Sequence, residues 1–283
     1  MKINRSILLI LPFAGLLLFS CDKISPPYAV LKKVDTTQVN MRKVLLEDYT
    51  GHTCTNCPTA SGIAFTLEKS YNGKLIVMAV HAGQTAEPTD PPFTADYTTA
   101  PGDEWYSTFG FFANPLGMVN RHEFSGNRLL TSDLWASSVD SMVNRPSEAF
   151  ITISNTYDLD GDAITTNIST KFSKVLSGSY FLTVCITEDS LISAQKNNNP
   201  AVGTVPIIDN YVFMSVLRGS LNGNSGEQIT ASVDTSRSYK KTYIAQLGTG
   251  WVAKNCSVVC FVYDAATKEI IQAEKAAVIQ TKK

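Results

Sequence analysis

The sequence predicts an α/β unit followed by an all-β sandwich, and two observations carry that reading. Between Lys43 and His81 the chain reads as strand, helix and strand, with Cys54-Thr55-Asn56-Cys57 where the first strand meets the helix. From Ser147 onward the apolar residues recur with period two, the pattern of half-buried strands. The chain has 283 residues. About 260 remain after a leader is set aside, enough for two ordinary domains. The expected division is 1–20 leader, 21–40 anchor and tether, 41–146 α/β unit, and 147–283 β-sandwich.

In chain order, the leader comes first. Lys2 and Arg5 form a positive start, and Ile7 to Phe19 is an apolar run too short to span a bilayer comfortably. Leu18-Phe19-Ser20-Cys21 is similar to a bacterial lipobox, which puts a lipid on the sulfur of Cys21 and ties the chain to a membrane. An ordinary signal peptide beside a chance cysteine is the alternative. Ser25-Pro26-Pro27 then begins a tether, and Lys32 to Met41 reads as tether or edge strand. A formal net charge of −1 gives no electrostatic case for nucleic acid. Export permits disulfides among the six cysteines.

Val44 to Tyr49 is an apolar run of strand length. Ala60, Ile63, Ala64, Leu67 and Tyr71 fall on one helical face, and Asn72-Gly73 supplies the left-handed stop. Leu75 to Val80 is apolar on both faces, as a central parallel strand must be. A C-x-x-C at this junction is a thioredoxin-like signature. A helix N-terminus stabilises a thiolate, and two intervening residues let the second sulfur resolve a mixed disulfide formed by the first. Two other uses fit the same residues. A disulfide staple across so small a loop contributes only about 2 kcal/mol. A zinc site would draw on His52 and His81 but lacks a second close ligand pair.

Ala82 to Ala100, with Pro88, Pro91 and Pro92, reads as an irregular insertion. Asp103 to Phe109 predicts a short helix with its acids in the first turn. Leu116 to Asn120 is a short strand, and Pro115 before it is the candidate for the cis-proline of a thioredoxin-like fold. Thr131 or Ser132 caps a closing helix with Trp135, Val139, Met142 and Val143 on one face, and Pro146 stops it.

In the β half, Ile164, Thr166, Ile168, Thr170 and Phe172 alternate, as do Tyr180, Leu182, Val184 and Ile186, and Asp160-Gly161 reads as a hairpin turn. Tyr211 to Leu217, Lys241 to Leu247, Cys256 to Tyr263 and Glu269 to Ala273 are further strands. Six to eight short strands with polar turns predict an antiparallel sandwich of immunoglobulin-like type. Cys256 and Cys260 are about 13 Å apart on one strand, too far to bridge each other. Either can meet Cys185 across the sandwich, or all three are inert buried thiols.

Thr50-Gly51, Cys54 to Pro58, Val80-His81-Ala82, Asn114 to Gly117 and Asn120-Arg121 carry a resemblance, extended by Val216-Leu217-Arg218, Trp251 and Val258 to Val262. On these residues the chain resembles the Bacteroidetes lipoprotein family named after a twenty-eight-kilodalton outer membrane protein. The resemblance implies an outer-membrane lipoprotein with a thioredoxin-like domain and a β-domain, and brings no settled activity. Asp48, six residues before Cys54, stands where thioredoxins keep a buried acid near the resolving cysteine. A strand-end acid facing water is its other reading. His81 ends a parallel strand on the edge that carries Cys54, where it can polarise a thiolate, carry a proton, or simply be hydrogen-bonded in a loop. Pro58 disfavours helical torsions at Cys57, which predicts that the helix starts at Pro58 with Cys57 as its cap.

Two functions follow. In one the chain exchanges thiols and disulfides with envelope proteins, Cys54 attacking as the more exposed sulfur and Cys57 resolving. In the other it is a binding or scaffold lipoprotein with a permanent Cys54–Cys57 bridge. Neither requires a cofactor or a metal.

Overall fold

The computed structural model describes residues 41–230 and 232–279. Cys21, the leader and the tether lie outside the described residues. The first strand and helix form as their patterns require. β1 (Val44–Thr50) is buried along its whole length, and α1 (Cys57–Ser70) stops where Asn72 and Gly73 take φ of 46° and 81°. β2 (Leu75–His81) runs parallel to β1, as its two-sided apolar pattern predicts. After the proline-rich insertion comes α2 (Ala100–Thr108), whose N-cap Thr99 accepts from the Gly102 N–H. β3 (Leu116–Val119) pairs antiparallel with the other edge of β1, and α3 (Trp135–Val143) closes the unit.

The later strands are β4 (Ala149–Asp158), β5 (Ala163–Phe172), β6 (Tyr180–Glu188) and β7 (Leu191–Lys196), followed by β8 (Ile207–Phe213) and β9 (Val216–Ser220). The last four are β10 (Glu227–Thr230), β11 (Tyr239–Gln246), β12 (Cys256–Asp264) and β13 (Ile270–Ala277). The single strand expected over Tyr211 to Leu217 is two. Ser215 takes φ of 53°, a left-handed torsion no strand can pass through, and its N–H is held by Asp189 Oδ1 at 2.7 Å.

Eight strands form one mixed sheet in the order β13-β12-β6-β9-β2-β1-β3, with β10 beside β6. This sheet runs straight through the boundary expected at residue 146. Five strands of the β half, β6, β9, β10, β12 and β13, continue the thioredoxin-like sheet, and the rest form small antiparallel sheets. The joint is narrow. β9 meets β2 at one register pair, Ala79 with Val216, reinforced by the Ala79 N–H on the Ser215 carbonyl at 2.8 Å.

Alternation along β1 serves both sheet faces. Val44 and Leu46 pack with Ala60 and Ala64 of α1 and Trp135 and Met142 of α3. Leu45 and Tyr49 face the other way, into a core shared with Trp105, Leu217, Val259 and Phe261. A third core lies between the β4-β5-β11 sheet and the β6-β12-β13 end of the large one.

An ion pair is sunk into the shared core. After β3, Asn120 and Arg121 both take positive φ, 50° and 53°, which turns Arg121 inward. Its guanidinium donates to both oxygens of Glu47 at 2.9 and 2.7 Å, and neither residue is more than 3% exposed. The rings of Trp105, Phe109, Phe261 and Tyr263 surround it within 5.8 Å, so residues from both halves of the chain enclose one charge.

Candidate functional site

The site is assembled from the carboxyl ends of β1 and β2 and the first turns of α1. Cys54 and Cys57 form a disulfide with their Cα atoms 5.5 Å apart, Cys54 in the loop and Cys57 opening the helix. The helix thus begins one residue earlier than expected, and Asn56 is its cap position. Asn56 makes no side-chain cap; its Oδ1 instead accepts from Asn198 Nδ2 at 2.6 Å.

Gly51 makes the loop possible. A Cβ there would stand 2.4 Å from the Thr85 carbonyl carbon, so only glycine lets the turn at 84–86 close against it. The Thr53 N–H donates to the Thr85 carbonyl at 3.0 Å, and His52 Nε2 lies 3.1 Å from the Glu87 carbonyl. On this side the insertion between β2 and α2 forms one wall of the dithiol loop.

The Asn114–Pro115 bond is cis, as are Pro91–Pro92 and Val205–Pro206. Asn114 Nδ2 reaches the carbonyls of Thr50 and Ala82 at 3.2 and 2.9 Å and Thr85 Oγ1 at 2.8 Å. The loop before β3 is thereby tied to the same strand ends that carry the dithiol loop and His81.

Asp48 is 1% exposed, and the water-facing reading of this acid does not hold. Ser61 donates to its Oδ2 at 3.1 Å, while Oδ1 has no protein partner. Burial raises its pKa to about 7, against the opposing pull of the Ser61 hydrogen bond. His81 is also 1% exposed, edge-on to Tyr97 and Phe213 at 5.2 and 5.4 Å, with both ring nitrogens unpartnered. Burial, then the nearby His52 and Arg218, lowers its pKa to about 3. Burial therefore favours the neutral ring. The loop hydrogen bond that was its other reading is absent.

The other side of the loop is occupied by a part of the chain that no sequence signal connected with it. Gln195, at the end of β7, donates from Nε2 to the carbonyls of Cys54 at 2.9 Å and Gly51 at 3.3 Å. The Lys196 N–H donates to the His52 carbonyl at 2.8 Å and the Asn198 N–H to the Thr55 carbonyl at 3.2 Å. Asn199 Nδ2 reaches Thr59 Oγ1 at 3.1 Å. Both cysteines are consequently buried, Cys54 at 5% and Cys57 at 1% exposure, so Cys54 is the more exposed of the two only by a small margin.

The remaining cysteines take no part. Cys185, Cys256 and Cys260 are free and buried on β6 and β12. Burial raises the Cys256 thiol to about 12, with Glu188 adding to it, and pushes the other two up as well. Among the described residues no three His, Cys, Asp or Glu side chains gather as a metal site, and His52 and His81 do not converge with the dithiol on one.

A thioredoxin-like sheet order, a C-x-x-C disulfide at the first helix and a cis-proline loop define the class: a thioredoxin-fold protein whose sheet is extended by β strands. Residues 102–282 match the family model of outer membrane protein Omp28. The chain belongs to that family, and its place is the outer membrane. Among solved structures it is similar to HBP35 of Porphyromonas gingivalis, with 18% identity, TM-score 0.61, and cover of 84% of this chain and 76% of that one. A protein of Agrobacterium tumefaciens matches at 12% identity and TM-score 0.50, over 85% of this chain and 96% of that one. A domain of the outer membrane lipoprotein Omp28 of P. gingivalis matches at 21% identity and TM-score 0.31, over 47% and 88%. No curated protein is a significant sequence match.

Proposed function

We propose that the chain is a lipid-anchored envelope protein that exchanges thiols and disulfides with other envelope proteins. The observation that carries this is the Cys54–Cys57 bond at the start of α1 together with a buried acid behind it, Asp48, whose pKa lies near 7. Ser61 is four residues after Cys57, hence on the same helix face, and its hydroxyl is bonded to Asp48. In the reduced protein the Cys54 thiolate attacks a partner disulfide, and one partner sulfur leaves as thiolate. Cys57 then loses its proton and attacks Cys54, which releases the partner as a dithiol and leaves the Cys54–Cys57 bond. Two electrons pass to the partner, and Asp48 is the group with the right affinity for the Cys57 proton. The anchor is the lipid on Cys21 that the Leu18–Cys21 box predicts.

The β half is read as immunoglobulin-like. Labelled A to G in chain order, β4-β5-β11 correspond to A-B-E and β6-β12-β13 to C-F-G, with one core between the two sheets. Its hairpin β7–β8 supplies the segment that lies on the dithiol loop.

That segment favours a second reading, a fixed disulfide in a binding or scaffold lipoprotein, because both sulfurs are buried beneath it. One experiment separates the two. The protein is equilibrated in glutathione buffers, and Cys57→Ser is run on non-reducing gels from cells. A reduction potential of roughly −120 to −270 mV with trapped mixed disulfides supports exchange. A potential below about −300 mV with no trapped species means a structural bridge.

A further inference from the structure

A cavity of about 330 Å³ opens between α1 and the corner where β8 passes into β9. Its apolar walls are Ala64 and Phe65 of α1, Val77 and Ala79 of β2, and Phe213 and Met214 of the corner. Phe65 is 41% and Met214 39% exposed, with Val212 beside them at 48%, so an apolar rim surrounds the mouth. The space follows from the chain path, because Ser215 breaks the strand and β9 touches β2 at a single pair. Cavities of this size hold small organic molecules.

Its polar lining is specific. Asp48 and His81 belong to this lining and are almost completely buried, and Asp48 Oδ1 and both ring nitrogens of His81 have no protein partner. An unpartnered buried polar group costs about 1–3 kcal/mol, so two such side chains on one cavity is an expensive arrangement unless something bonds to them. Glu68 also lines the cavity, and no Lys or Arg does. Three cations stand outside the lining: Lys275, 4.0 Å from Glu68 and donating to Ser215 Oγ at 3.3 Å, Lys69 over the Phe65 ring at 4.0 Å, and Arg218 near His81. An anion would therefore meet Asp48 with no basic side chain in the lining to hold it. A neutral imidazole offers one lone pair and a carboxylate offers more, which calls for a ligand rich in donors. The rings of Tyr211 and Phe213 add faces that attract a cation.

We propose that this cavity binds a small molecule with an apolar body and one primary ammonium group, the ammonium against Asp48 and His81. The site shares Asp48 with the proposed exchange, but it is tested with the disulfide intact, where no exchange step occurs, so its failure says nothing about thiol exchange.

The test is calorimetric titration of the full chain in detergent with 2-phenylethylamine, 2-phenylethanol and 3-phenylpropanoate, which share a body and differ in the head group. The amine is expected to bind at one site, roughly tenfold or more tighter than either of the others, the ratio that about 1.4 kcal/mol of head-group preference produces. Asp48→Asn should weaken the amine by roughly tenfold or more, since it removes the paired charge. Gly62→Leu provides a variant that keeps its fold. Gly62 lines the cavity, a Cβ there meets nothing within 4 Å, and leucine is the better helix former. It should abolish amine binding while the thermal midpoint holds or rises. Equal affinity for the carboxylate, no saturable amine binding, or amine binding unaffected by both substitutions would each overturn the proposal.

Discussion

Arg121→Met isolates the buried charge in the shared core. The substitution leaves Glu47, 0% exposed, without the two hydrogen bonds at 2.9 and 2.7 Å that satisfy its carboxylate. Breaking a buried pair from one side typically costs about 3–5 kcal/mol, because the remaining charge is stranded. At about 2–4 °C per kcal/mol for a chain of this size, the thermal midpoint should fall by roughly 6–20 °C. Urea denaturation followed by tryptophan fluorescence measures the free energy directly. The control is Glu47→Leu/Arg121→Met, which removes both charges and leaves apolar side chains among four aromatic rings. Replacing both members of a buried pair by apolar residues is often neutral or stabilising, so the double variant should recover most of the loss. If Arg121→Met costs less than about 1 kcal/mol, the low-dielectric account of this pair fails. A double variant no more stable than the single would fail it equally.

Three further outcomes are expected. Asp48 has a folded pKa raised from 3.8 to about 7, so the folded state holds its proton more tightly than the unfolded chain. Its contribution is full below about pH 4 and is lost as pH rises through about 7, on the order of 4 kcal/mol in all. Thermal midpoints of wild type and Asp48→Asn should therefore diverge between pH 4 and pH 8, and parallel curves would refute the burial effect. Gln195→Ala and Asn198→Ala each remove hydrogen bonds onto the dithiol loop at about 0.5–1.5 kcal/mol apiece, so dithiothreitol should reduce the disulfide roughly two- to tenfold faster. Unchanged rates of thiol labelling would mean that the β7–β8 segment does not restrict access. Labelled palmitate should enter wild type and not Cys21→Ala; equal incorporation ends the lipobox reading.

The parts of this fold legible in the sequence are those whose signal is local. The apolar run before Cys54, the helical face of Ala60 to Leu67, the Asn72-Gly73 stop and the alternation of β5 and β6 each report a short-range constraint. Two features had no such signal. Ser215 is an ordinary residue for a strand, and only its left-handed torsion, held by Asp189, divides β8 from β9. The joining of the two halves into one sheet rests on a single pair, Ala79 with Val216, which periodicity cannot reveal. The site divides in the same way. Cys54 and Cys57 are marked in the sequence by their spacing, and Asp48 and Pro115 by likeness to the thioredoxin pattern. Gln195, Asn198 and Asn199 carry no such signal, because polar residues near a proline look like a solvated turn. Their partners are about 140 residues earlier in the chain. His81 ends β2 as its sequence position suggests, but its burial depends on Tyr97 and Phe213, which arrive from other segments.

The separation between Gln195 and Cys54, 141 residues, also sets an order of events during export. The chain enters the envelope from its N-terminus, so the dithiol loop emerges well before the strand that will lie across it. Throughout that interval Cys54 and Cys57 are open to any oxidant in the compartment, with no hairpin to displace. Once residues 195–199 arrive and bond to the carbonyls of Gly51, His52, Cys54 and Thr55, the same bond becomes harder to reach than to form. The order of emergence therefore lets the Cys54–Cys57 bond form before the β7–β8 segment is there to cover it.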